Sequence, residues 1–347
     1  MTSLDPTPDL DHQLVPELLV AETDHPAPGA APGALSVGTA TEDWSGDARY
    51  FEYSRAANPV GAGITSKVPM RQFPASLHQA EGSGVSVLDL SEDLHTPWPA
   101  TSPALCASFL RIQAGESYST AAVATSQLFY VLSGAGSTDV DGQSLEWGEG
   151  DVVVLPMSAS VDHHARARTV MYWVTDEPLM RYLGVSPSET RFVATRFPAD
   201  RIRHELDLIE HDPRALDRNR LSVLLATAPQ TQTLTVTHVL WAMFGLLPVD
   251  AVQRPHRHQS VALDLIVDCE PCCYTFVGAS LDADGEIVRP TRVDWEPGGA
   301  FVTPPGLWHA HYNESGVPAH LLPVQDAGLH TYLRSLDIRF APPRRDA

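Results

Sequence analysis

"RPHRHQSVALDLIVDC", running from Arg254 to Cys269, sets two histidines two positions apart at the head of a run rich in aliphatic and β-branched residues. Residues two apart on a strand share a face, so His256 and His258 point to the same side. Downstream, "GGAFVTPPGLWHAHYN" (Gly298 to Asn313) supplies His309 within a frame of glycine and proline turn signals. A lone histidine on a strand is usually a core or surface residue. An H-x-H strand with a third histidine on a Gly/Pro-framed hairpin is a rarer pattern. Neutral imidazoles suit a first-row transition metal, and three of them leave coordination positions open.

Around this pair of segments the chain has β texture. From Ala104 onward, short runs such as "SQLFYVLSGAG", "GDVVVLP" and "TVMYWVTD" alternate with turn residues. A charged, helical-looking stretch, Pro198 to Leu221, interrupts them, and the β texture then returns through "TLTVTHVLWAMFGLLP", "SVALDLIVDC" and "HLLPVQD". The pattern predicts an all-β chain in which one kind of barrel or sandwich unit occurs twice. Residues 1–48 hold nine acidic residues and no Lys or Arg, together with the stretch "HPAPGAAPGA", and read as a disordered acidic tail.

Composition narrows the function classes. The 347 residues carry a formal net charge of −20, and Lys67 is the sole lysine. Such a chain lacks the basic footprint of a nucleic-acid binder and is repelled by anionic membranes, so a small molecule is the expected partner. The longest apolar run, "VLWAMFGLLPV", is too short to span a bilayer, and no signal peptide is visible, so a cytoplasmic protein is expected. Three of the four cysteines crowd into "CEPCC", which suits a reducing compartment better than a disulfide framework. Its C-x-x-C spacing lacks the second pair that a zinc site requires.

These residues resemble the cupins, whose motifs read G-x5-H-x-H-x3,4-E-x6-G and G-x5-P-x-G-x2-H-x3-N. The second motif is complete as Gly298, Pro304, Gly306, His309 and Asn313. In the first, His256 and His258 are present, but Asp250 takes the place of the leading glycine and Ala262 that of the glutamate ligand. The wording "PHRHQSVALDLIV … PPGLWHAHYN" is similar to the bicupin branch of gentisate 1,2-dioxygenase, salicylate dioxygenase and 1-hydroxy-2-naphthoate dioxygenase. An earlier copy of the frame survives as Gly115, Gly134, Gly150 and Pro156, with Ala121, Val123, Gln127 and Val161 at the ligand positions. Neither Ala nor Val binds a metal. His163 and His164 fall off the ligand position and read as surface residues. Catalytic cupins usually come first in that family, so the order of catalytic and structural cupins reads here as swapped.

The resemblance implies two tandem cupin (jelly-roll) barrels: a metal-free structural cupin over residues 49–190, a helical linker over 191–218, and a metal-binding catalytic cupin over 219–347. It implies Fe(II) held by His256, His258 and His309, a small aromatic substrate, O2 as co-substrate, ring cleavage, and a homo-oligomer. His311 matches a position that hydrogen-bonds substrate in the family, where a neutral imidazole can accept a hydroxyl proton; by strand alternation it could equally stand behind the ligands. Trp308 closes the pocket or packs. Counting in twos from His256 turns Asp264 into the barrel, where the family carries a carboxylate-binding arginine. Alternatively, Asp264 pairs with Arg254 or Arg257, or a bulge turns it outward. Two other functions remain open: a biosynthetic tailoring oxygenase using the same centre, and a non-catalytic ligand-binding bicupin.

Overall fold

The computed structural model describes residues 45–157 and 161–341, so nearly all of the expected acidic tail lies outside the described residues. The chain divides into two units, Met1–Ala57 and Asn58–Ala347. In the first, the described part holds a single-turn helix, Tyr53–Ala56, whose N-terminal amides are capped by the Glu52 carboxylate.

The second unit contains the expected all-β architecture, two antiparallel barrels. In the first barrel a six-stranded sheet is ordered Thr195–Phe197, Val152–Pro156, Ser126–Ser133, Thr169–Thr175, Cys106–Ile112, Gly84–Val87. It packs on a four-stranded sheet of Ser117–Thr120, Val161–Ala165, Ala135–Val140 and Gln143–Gly148. The second barrel repeats the plan. Its six strands are Gln72–Phe73, Ala300–Thr303, Ala262–Asp268, Ala319–Gln325, Trp241–Leu247 and Leu221–Leu225. The opposing five are Thr291–Asp294, Cys273–Gly278, Trp308–Asn313, Val252–Arg257 and Arg339–Phe340.

Strand alternation explains how the two barrels join. In Ser126–Ser133, Phe129 and Val131 fill the first barrel's interior while Leu128 and Tyr130 face outward. In Ala262–Asp268, Ile266 lies in the second barrel's interior while Leu263 and Leu265 face outward. The outward sets meet, so the two six-stranded sheets pack back to back around Phe109, Tyr172, Leu263, Leu265 and Leu322. Both faces of these strands are covered, which is why they read as nearly unbroken apolar runs.

Two features depart from the expected domain limits. Gln72–Phe73, within the span assigned to the first cupin, pairs with Ala300–Phe301 of the second barrel. Within the expected linker, only Ala199–Glu210 is an α-helix, and Thr195–Phe197 is an edge strand on Val152–Val154. Strands of two or three residues carry no periodicity to read, so neither has a signature in the sequence.

Tyr172 is fully buried between the sheets and its hydroxyl has no hydrogen-bond partner among the described residues. An unpaired buried hydroxyl costs about 1–3 kcal/mol. Tyr172→Phe is therefore expected to hold or raise the thermal midpoint, read by differential scanning calorimetry. A fall of several degrees would mean that the hydroxyl is bonded in solution.

Candidate metal centre

The centre is built on one antiparallel pair. Strand Val252–Arg257 lies beside Trp308–Asn313, with Gln253 opposite His311 and His256 opposite His309. Between these pairs Arg254 and Pro255 stand opposite Ala310 alone, a bulge that turns both Gln253 and His256 to the buried side. Pro255, with no N–H to lose, is tolerated there. The backbone turns the motif glycines require are present: Gly298 and Gly306 have φ of +75° and +76°. A Cβ on Gly298 would meet the His78 ring at 2.7 Å. The Gly306 N–H donates to the His258 carbonyl at 2.7 Å, which ties the hairpin to the second ligand. Asp250, in the leading glycine's place, also adopts positive φ (+53°), which aspartate tolerates better than most residues. Asn313 acts as a strap, its amide donating to the carbonyls of Leu247, Pro248 and Val317.

His256, His258 and His309 are all buried, and each offers a ligand nitrogen within 4.8 Å of the others. Their Nδ1 atoms face main-chain carbonyls: His256 that of Arg254 (3.3 Å), His258 that of Ser260 (2.9 Å), His309 that of Leu307 (3.2 Å). A carbonyl only accepts, so Nδ1 carries the proton and Nε2 keeps the lone pair for a metal. The Ser260 hydroxyl donates to Gln325 Oε1 and so can also accept from His258 Nδ1. Burial, reinforced by the neighbouring Arg220 and the other imidazoles, lowers the pKa of all three; His258 falls to about 4. Neutral imidazoles with converging Nε2 atoms fit a divalent transition metal. Ala262, buried at the position of the family's carboxylate ligand, offers no donor. Among the described residues the one other metal-capable group is an exposed cluster on a helix, Asp207, Glu210 and His211.

The remaining candidates distribute as follows. His311 is buried; its Nδ1 lies 2.7 Å from the Thr275 hydroxyl, and its ring centre is 5.8 Å from that of His309. Trp308 is half-buried and carries the Arg257 guanidinium 5.0 Å above its ring. Asp264 is buried and accepts from the Thr303 hydroxyl at 2.7 Å. Burial pushes its carboxyl up to about 6, opposed by that hydrogen bond and by Arg220. No ion pair joins Asp264 to Arg254, Arg257 or Arg220 among the described residues.

Arg220 is the functional candidate that the sequence reading missed. Its field reaches Asp264 and all four imidazoles, and its Nη1 lies 3.1 Å from Met243 Sδ. Burial holds the guanidinium down to about 10. A signal existed: Leu221 and Leu225 face the inter-barrel core, so Arg220, one residue out of phase, faces the other way.

In the first barrel the ligand positions hold other chemistry. Gln127 accepts from the Trp173 indole at 3.2 Å, and Phe129 stacks on Trp173 with centroids 5.6 Å apart. His163, expected at the surface, is instead buried, held between the hydroxyls of Thr120 (3.0 Å) and Thr138 (2.8 Å). Those partners come from other strands, which is why the local sequence did not reveal its burial. His164 is half-exposed beside Asp139.

No protein-family model matches the chain. A 127-residue segment is 30% identical to a 5-aminosalicylate 1,2-dioxygenase of Comamonas sp., covering 34% of this chain and 33% of that protein. The match thus spans a third of the curated relative's length. Among solved structures, the salicylate 1,2-dioxygenase of Pseudaminobacter salicylatoxidans superposes with a TM-score of 0.59 at 14% identity, over 79% of this chain and 88% of that one. Its gentisate adduct gives 0.63 at 13%, over 84% and 90%. An oxalate decarboxylase variant of Bacillus subtilis gives 0.50 at 13%, over 74% and 77%. The fold and its repeated barrels are those of a bicupin. The likeness to the salicylate 1,2-dioxygenase structures is one of fold, and the sequence likeness to the 5-aminosalicylate 1,2-dioxygenase is confined to the 127-residue segment. No helix among the described residues is long and apolar enough to cross a membrane.

The purified full chain is expected to bind about one first-row metal ion, because among the described residues one barrel alone has converging imidazoles. Elemental analysis should show that His256→Ala and His309→Ala abolish binding while His163→Ala retains it. Two ions per chain would contradict the assignment.

Proposed function

We propose that the protein is a non-haem Fe(II)-dependent dioxygenase that opens the ring of a small hydroxylated or amino-substituted aromatic. The convergence of three buried Nε2 atoms, each oriented by a carbonyl behind it, carries this reading. The relationship to salicylate and aminosalicylate dioxygenases supports the reaction class. When bound, Fe(II) supplies open positions for a chelating aromatic and O2 and conducts electron density between them. His256, His258 and His309 hold it, and the Ser260–Gln325 chain keeps the His258 ring in place. Ile266, Phe301 and Leu321 line the barrel interior and keep it dry.

Substrate choice falls to Arg220 and Asp264. Arg220 orients an anionic group of the substrate. Asp264, standing where the family carries an arginine, receives an amino or other donor group. A carboxylate placed against Asp264 would be penalised by on the order of a few kcal/mol at protein-like screening. An amino-substituted hydroxybenzoate satisfies both residues, and the name of the aminosalicylate dioxygenase relative agrees with that choice.

Oxygen uptake by the iron-loaded protein on a panel of hydroxybenzoates, aminosalicylates and aminophenols tests the reaction class. Uptake with formation of a ring-opened product is expected. Ligand binding with no uptake across the panel would favour a non-catalytic bicupin. A kinetic comparison tests the specificity: the wild type should favour amino-substituted analogues over gentisate, and Asp264→Arg should move preference toward gentisate. Brisk wild-type turnover of gentisate, unchanged or lowered by the arginine, would show that Asp264 does not select against a carboxylate.

A further inference from the structure

One polar chain occurs in both barrels. In the second, the Trp295 indole N–H donates to Thr275 Oγ1 at 2.8 Å, and Thr275 Oγ1 lies 2.7 Å from His311 Nδ1. In the first, Trp147 donates to Thr138 Oγ1 at 2.8 Å, and Thr138 Oγ1 lies 2.8 Å from His163 Nδ1. The repeat is also one of position. Each tryptophan stands three residues before its motif glycine, Gly150 or Gly298, and each histidine thirteen after it.

The chain has a direction. An indole N–H only donates, so one lone pair of each threonine is occupied from that side. Among the described residues Thr275 Oγ1 has no partner besides Trp295 and His311, so its proton goes to His311 Nδ1. A neutral imidazole that accepts at Nδ1 carries its proton at Nε2. In the first barrel that Nε2–H ends on the Thr120 hydroxyl at 3.0 Å, and the chain closes on protein. Counting from the two motif-one frames, Thr120 corresponds to Pro255, which has no hydroxyl. His311 Nε2 is left without a protein partner among the described residues, beside the three ligand histidines.

We propose that Trp295 and Thr275 are positioning residues that fix His311 as the Nε2–H tautomer, making it a hydrogen-bond donor to an oxygen atom bound at the metal centre. This is opposite to a general-base role for His311 on a substrate hydroxyl. The proposal rests on the reading of His256, His258 and His309 as a ligand-binding centre, but the tautomer exists with or without turnover.

The test is 15N NMR of histidine-labelled full-length protein carrying diamagnetic Zn(II), with His311 assigned through His311→Gln. Wild type should show His311 Nδ1 as an unprotonated acceptor and Nε2 as protonated. Thr275→Val should lose that signature and Thr275→Ser should restore it, while Thr138→Val should alter His163 and leave His311 unchanged. A wild-type spectrum with the proton on Nδ1 overturns the proposal, and so does an unchanged His311 signature in Thr275→Val. If the valine variant fails to fold, the wild-type spectrum decides alone. Absence of dioxygenase activity with the expected tautomer present would count against the proposed function and not against this inference.

Discussion

The centre depends on the register that sets His256 directly opposite His309. A one-residue slip in an antiparallel pair sends every side chain to the other face, and here it would carry an imidazole out of the cluster. Several otherwise separate features hold that register. The bulge at Arg254 and Pro255 turns His256 inward, the Gly306 amide ties the hairpin to the His258 carbonyl, and Asn313 anchors the far end of the strand to three carbonyls. The motif residues other than the histidines are therefore the ones that put the three converging imidazoles in place.

Retention of the first barrel follows from packing. Its interior is closed by Phe129, Trp173 and a buried His163 that spends both ring nitrogens on threonine hydroxyls. Its outer sheet covers Leu263, Leu265 and Leu322 of the second barrel, a face that would otherwise be a large exposed apolar patch. The strand that presents Leu263 and Leu265 to the first barrel presents Asp264 to the other side, so the inter-barrel core also fixes the orientation of a site residue.

What could be read in the sequence was what periodicity and turn chemistry encode. The glycines at 298 and 306 follow from backbone positions that favour glycine. The count in twos from His256 to Asp264 runs across a break, since the first strand ends at Arg257 and Ala262–Asp268 lies in the other sheet; the inward phase of Asp264 is set by alternation within Ala262–Asp268. What escaped depends on partners remote in the chain. His163 was read as exposed because Thr120 and Thr138 lie on other strands. Arg220 stands at the end of the helical-looking stretch Pro198 to Leu221, and its meaning comes from the imidazoles of distant strands. Gln72–Phe73 is too short to announce itself and exists as a strand because Ala300–Phe301 presents an edge.

The position of charge in the second barrel carries the argument one step further. Placing a carboxylate where relatives hold an arginine would ordinarily cost several kcal/mol for a buried, unpaired charge. Here the cost is offset in part by the Thr303 hydroxyl and by the field of Arg220, without an ion pair between Asp264 and Arg220 among the described residues. A collapsed salt bridge would neutralise both groups and leave nothing for a ligand. Two opposite charges that are not paired with each other retain their capacity to bind, and each favours a ligand group of the other sign. In the proposed reading, the positive charge comes from Arg220, just before the strand that begins at Leu221, and the negative one from Asp264, a pair suited to a substrate bearing both kinds of group.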